Sequence, residues 1–106
     1  MVKKYQIYFV NLYPTIGAEV KKVRPCVVVS QDEINSFLKT VIVAPVTSAL
    51  KSYPTRIDIS LQGRNGQIMI DQIRTIDKSR LINQVGLLKR KEVEKIKSVI
   101  KQMLVD

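Results

Sequence analysis

The chain alternates short apolar runs with short, regular polar punctuation, the rhythm of a β-rich domain. The segment 7–12 is aromatic and β-branched and stops at Pro14. Residues 17–22 form a polar loop. The segment 24–30 carries Cys26-Val27-Val28-Val29, a continuous apolar run that predicts a buried strand. A short helical turn is expected over 31–37, with Ser30 as its cap because Glu33 follows three residues later in capping-box form. A further strand is expected over 40–46, bent or ended at Pro45. The segment 55–61 alternates as Arg56, Ile57, Asp58, Ile59, Ser60, Leu61, a half-buried strand. Asn65-Gly66 is a hairpin-turn signal.

Residues 67–77 read as one long strand or two short ones. Ile70, Ile73 and Ile76 cannot share one face of a period-two strand, so a bulge or break is expected near Asp71-Gln72. Asp77 has the form of a cap for a short turn at 78–80. The last segment changes period. Over 91–105 the residues Val93, Ile96, Val99, Ile100, Met103 and Leu104 lie at helical spacing, with Lys95, Lys97 and Lys101 on the other side. A helix packing its apolar stripe on a sheet accounts for this pattern. The expected architecture is mainly β (α+β): a small, mostly antiparallel barrel or twisted sheet with one substantial helix, in a single domain over 1–106.

Composition narrows the chemistry. In 106 residues there are 18 Lys+Arg and 9 Asp+Glu, a formal net charge of +9, shared by both halves of the chain. Such an excess points to a polyanionic partner, nucleic acid or an acidic protein, or simply to a soluble basic surface. There is one cysteine, Cys26, and no histidine. That excludes a disulfide framework, a cysteine-only metal site and any histidine-based triad. Glu19, Asp58, Asp71 and Asp77 are scattered, so neither a metal nor another cofactor is expected. No apolar run approaches the ~20 residues of a membrane span, and the lone cysteine suits a reducing cytoplasm.

Three constellations could carry chemistry. In the loop ending at Arg24-Pro25, Lys21, Lys22 and Arg24 concentrate three cations. A proline after Arg24 biases its backbone to the extended region, from which its planar fork could meet a phosphate; a solvated basic loop with Arg24 paired to Glu19 is the alternative. Thr47 and Ser48 follow a buried strand, and either donate to a phosphoryl oxygen or serve the turn. Asp71 and Gln72 either contact a base or ribose, or finish a strand edge. Of the aromatics, Tyr13 and Tyr53 each precede a proline in a loop, while Phe9 and Phe37 are expected in the core. Lys51 and Arg56 could track a nucleic-acid strand.

Read together, the runs Ile7-Tyr8-Phe9-Val10-Asn11-Leu12-Tyr13-Pro14, Gly17-Ala18-Glu19, Val23-Arg24-Pro25-Cys26-Val27-Val28-Val29-Ser30, Thr40 to Ser48 and Asp71-Gln72-Ile73-Arg74-Thr75-Ile76-Asp77 resemble a MazF/PemK-type toxin. The resemblance covers roughly residues 7–88. It implies an SH3-like small β-barrel of the CcdB/MazF type with a C-terminal helix, commonly a homodimer. It implies a metal-independent endoribonuclease of a type II toxin–antitoxin module, cleaving single-stranded messenger RNA and inhibited by a cognate acidic antitoxin. The family's catalytic arginine falls on Arg24 and its threonine on Thr47. Its RNA-contacting glutamate falls on Glu19, and its acidic-Gln pair on Asp71 and Gln72. The expected substrate-binding set is Tyr13, Glu19, Lys21, Lys22, Ser48, Lys51, Tyr53, Arg56, Asp71 and Gln72. A CcdB-like gyrase-binding toxin and a non-catalytic RNA-binding module are the alternatives.

Overall fold

A computed structural model describes residues 1–12 and 23–106. Tyr13, Glu19, Lys21 and Lys22, four of the expected substrate-binding residues, lie outside the described residues.

The chain runs β1 (Gln6–Asn11), β2 (Val23–Val28), α1 (Asp32–Phe37), β3 (Thr40–Thr47), β4 (Arg56–Leu61) and β5 (Arg64–Met69). A single 3-10 turn (Ile70–Gln72), β6 (Arg74–Asp77), a second 3-10 turn (Lys78–Arg80), β7 (Leu81–Leu87) and α2 (Arg90–Ile100) complete it. The final turn, Lys101–Val105, widens to π geometry. The strands form one antiparallel sheet ordered β4-β5-β3-β2-β1-β7, with β6 pairing the first half of β3. The sheet coils into a half-barrel.

β1, β2 and β3 are buried on both faces, which is why their sequence reads as continuous rather than alternating. Val27, Ala44 and Val46 join Ile7, Ile57, Ile59, Ile68, Ile70 and Leu88 in one cluster, closed by Ile96 of α2. Their chain neighbours Cys26, Val28, Val41 and Val43 face the other way, into a second cluster with Val10, Leu12 and Ile76. α2 is held at its start by the Glu92 carboxylate, which accepts from the Lys89 backbone N–H (2.7 Å). Val93, Val99 and Ile100 pack on the first cluster; Leu104 and Val105 run on into solvent.

The break at Asp71-Gln72 is the 3-10 turn between β5 and β6. Asp77 caps the next one, accepting from the Ser79 N–H. Three other expectations are corrected. Ser30 does not cap α1, whose N-terminal flank is Gln31 with no side-chain cap. Ser30 is buried instead, its hydroxyl donating to Asn35 Oδ1 and accepting from the Ile42 N–H. This polar bracket fixes α1 on β3 through Asn35, so the apolar residues around it turn outward and Phe37 is 87% exposed rather than core. Phe9 is half-buried, at the end of β1 opposite Pro25.

The third correction concerns the β4–β5 hairpin. Its turn is Gln62-Gly63, both at positive φ (53° and 78°), which is type I′ geometry. Asn65-Gly66 lies inside β5, opposite Ser60 and Ile59. Register decides the matter. A turn at Asn65-Gly66 would set Ile57 against Arg74, whereas the observed turn sets it against Ile68 in the core.

Candidate active site

A cleft of about 650 Å³ opens at the end of the sheet where β1, β2, β3 and the β4–β5 hairpin meet. Phe9, Arg24 and Pro25 form one side, and Val46, Thr47 and Ser48 the floor. The hairpin, from Leu61 to Gly66 apart from Gly63, forms the other side. No described residue lining it is acidic, and the lining includes two arginines, Arg24 and Arg64.

Strand register puts Arg24 beside Thr47. β2 and β3 pair antiparallel with Cys26 opposite Pro45. That ladder ends at Cys26 and Pro45; carried two residues further, its register brings Arg24 to the level of Thr47, and both residues line the cleft. Among the described residues Arg24 has neither an ion-pair partner nor a side-chain hydrogen bond. Thr47 Oγ1 accepts from the Ala49 N–H (3.1 Å), which is turn chemistry. A hydroxyl also has one proton to donate, so the same bond orients Thr47 and leaves its O–H for a ligand. Ser48 follows, exposed at the cleft edge.

On the far side of β3, Thr47 pairs with Gln67. The next residue, Gly66, makes the approach possible: a Cβ there would stand 3.0 Å from the Thr47 carbonyl oxygen and 3.2 Å from Val46 Cγ1. Gln67 is itself buried, and its amide grips both backbone groups of Lys51, accepting from N–H (2.9 Å) and donating to C=O (2.8 Å). It also donates to Asp58 Oδ1 (2.9 Å). The stretch after Thr47 is thereby tied to β5.

Lys51, Tyr53, Arg56, Asp71 and Gln72 do not line this cleft. Arg56 and Asp71 engage each other. Nε meets Oδ1 at 2.9 Å and Nη2 meets Oδ2 at 3.3 Å, in a bidentate pair, and Thr55 Oγ1 donates to the same Oδ1. The guanidinium lies 5.0 Å from the Tyr53 ring centre. The Arg56 hydrogen bond holds the Asp71 carboxyl below the usual carboxylate range, and the same bond raises Arg56. Lys51 and Gln72 are exposed, and Tyr53 is half exposed.

Cys26 is fully buried behind Arg24. Desolvation pushes its thiol up to about 12, against the pull of Arg24 and Arg74, so it stays protonated and unreactive at neutral pH. Among the described residues no three carboxylates or thiolates gather as a metal site. None of the described helices is long and apolar enough to cross a membrane.

Sequence reasoning missed Arg64, Gln67 and the hairpin wall. The signal lay in the alternation of 56–61, which fixes the pairing of β4 and with it the position of the turn.

Residues 3–104 match the family model of PemK-like, MazF-like toxins of type II toxin–antitoxin systems. The chain belongs to this family. It is 35% identical over 102 residues to endoribonuclease EndoA of Bacillus subtilis, covering 91% of this chain and 88% of the relative. It is 30% identical over 106 residues to endoribonuclease MazF of Staphylococcus saprophyticus, covering 94% and 88%. Among solved structures, MazF from Deinococcus radiodurans superposes with a TM-score of 0.82 at 24% identity, covering 97% of this chain and 96% of that one. A mycobacterial endoribonuclease in complex with its cognate antitoxin superposes at 0.84 with 20% identity, covering 98% and 95%. The toxin fold expected from the sequence is therefore the fold observed, and the cleft lies at the open end of that fold.

Proposed function

We propose that this toxin is an endoribonuclease that cleaves single-stranded RNA, messenger RNA above all, in the cytoplasm, and that an acidic antitoxin restrains it. The observation that carries this reading is that Arg24 and Thr47 line one cleft with no acidic residue among its described lining, in a chain whose relatives bear endoribonuclease names.

RNA brings its own nucleophile. The 2′-hydroxyl oxygen attacks the adjacent phosphorus and the bond to the 5′-oxygen breaks. The proton lost by the 2′-hydroxyl is balanced by one delivered to the departing oxygen. The products are a 2′,3′-cyclic phosphate, which can open to a 3′-phosphate, and a 5′-hydroxyl. The protein's task is to hold the backbone in line and to stabilise added negative charge on the phosphoryl oxygens. Arg24 supplies a fixed cation and Thr47 a neutral hydroxyl donor. A guanidinium does not give up its proton near neutral pH, so Arg24 acts electrostatically. Glu19 is our candidate for the base. Tyr13, Lys21, Lys22, Ser48, Lys51 and Tyr53 are candidates for contacts along the strand. Gln72 would act from the 3-10 turn, which the Arg56–Asp71 pair braces. Pairing of two copies into a homodimer is part of the same reading.

The test is incubation of purified toxin with a long single-stranded RNA in the presence of EDTA. Discrete fragments with 5′-hydroxyl ends are the expected result. RNA left intact, with or without added divalent metal, would overturn the reading.

A further inference from the structure

We propose that Arg64 forms a second phosphate-binding site in the cleft, taking an RNA phosphate next to the one that is cut. The inference rests on the reading of this cleft as an RNA site and adds a residue to it.

Arg64 pairs with Leu61 across the hairpin, immediately after the turn. Residues two apart on a strand share a face. Arg64 therefore leaves β5 on the same face as Gly66 and Ile68, opposite to the face of Gln67 and Met69, which is buried too. At Ile68 that face is core; by Arg64 the core has ended and the cleft has begun. An exposed arginine at the end of an apolar face, with no carboxylate or side-chain hydrogen bond engaging it among the described residues, is a cation held available. The contrast with Arg56, four residues before Ser60 on the partner strand and on the opposite face, is direct: that guanidinium is 8% exposed and fully engaged by Asp71.

Position argues for a neighbouring phosphate over the scissile one. Gln67 is the partner of Thr47, and Arg64 stands three residues further along β5, about 10 Å at the rise of an antiparallel strand. Arg24 is one strand from Thr47 on the other side of β3. Arg24, Thr47 and Arg64 line the same cleft, and the backbone of Arg64 is displaced along β5 from the level of Thr47. Gly66 fixes that displacement, because it lets β5 lie against the Thr47 carbonyl. An RNA strand crossing the cleft meets two cations in its lining, Arg24 and Arg64.

Each phosphate contact to single-stranded nucleic acid contributes about 0.7 to the slope of log affinity against log salt. The experiment measures binding of a short 2′-O-methyl RNA, which lacks the nucleophile, over a series of potassium chloride concentrations. Arg64→Ala is expected to lower the slope by about 0.7, and Arg64→Lys to keep it. Lys97→Ala removes the same charge from the exposed face of α2 and is expected to leave the slope as in the wild type. An unchanged slope in Arg64→Ala overturns the proposal, as does an equal fall in Lys97→Ala. A wild-type toxin that binds no RNA overturns it too. Intact unmodified RNA with the wild type, alongside the expected slope change, would sink only the nuclease reading and leave the phosphate site standing.

Discussion

Arg24 and Arg56 make opposite use of the same side chain. Arg24 sits at the end of β2 on the rim of the cleft, and no described carboxylate pairs with it. Arg56 opens β4 with both arms of its fork on Asp71 and its face against Tyr53. Charge and composition are blind to this difference, since both count as one of eighteen basic residues. A guanidinium whose hydrogen bonds are already made braces two pieces of chain, here the β3–β4 loop and the 3-10 turn. One whose bonds are open has gained nothing from folding and is free to gain it from a ligand.

The largest effect should come from the open arginine. Arg24→Ala is expected to slow single-turnover RNA cleavage by about 100- to 1,000-fold, the usual cost of one preorganised donor to a developing oxyanion. Its melting temperature should shift by no more than about 4 °C, as for a surface change of about 0.5 kcal/mol. A folded Arg24→Ala toxin cleaving at the normal rate would break the comparison at its first term. Arg56→Ala should do the reverse. It strands Asp71 and is expected to cost about 1 kcal/mol, a partly exposed ion pair being worth little more. Calorimetry should then show a melting point lower by about 4–8 °C, with cleavage at room temperature retained. Loss of cleavage at full stability would instead assign Arg56 to the substrate.

How much of this could be read from the sequence follows the same division between local and distant causes. Cys26-Val27-Val28 announced a strand buried on both faces, because continuous apolar runs have few other uses in a chain this short. Asp77 announced its cap, since the bond it makes spans only two residues. Arg24 and Thr47 were legible as candidates through the resemblance, and their adjacency follows from the β2–β3 register. What failed depended on partners far along the chain. Ser30 had the form of a cap, but Asn35 and Ile42 compete for its hydroxyl and win. Asn65-Gly66 had the form of a turn, but Ile57 needs Ile68 opposite it. The engagement of Arg56 by Asp71, fifteen residues away, leaves no local trace.

The smallest expected effect sharpens the braced side of the comparison. Asp71 has its carboxyl held low, first by the Arg56 hydrogen bond. Its contribution to stability is therefore full above its ordinary value of 3.8 and fades as pH falls through the lowered folded-state value. The melting-point gap between wild type and Asp71→Asn should be constant near neutrality and shrink in acid. A gap that persists unchanged at the lowest pH where both proteins stay folded would show that the brace does not depend on charge.

The two-residue turn at Gln62-Gly63 also bears on how such a cleft can be remodelled over evolutionary time. Arg64 keeps its face of β5 whatever the length of this turn, because that face is set by its four-residue distance from Ile68, which the core holds opposite Ile57. The hairpin can therefore change length at its tip without discarding the cation, while the strands beneath it, buried on both sides, stay as they are. Lineages that share this barrel could explore different groove lengths, and so different substrates, through insertions in one exposed turn.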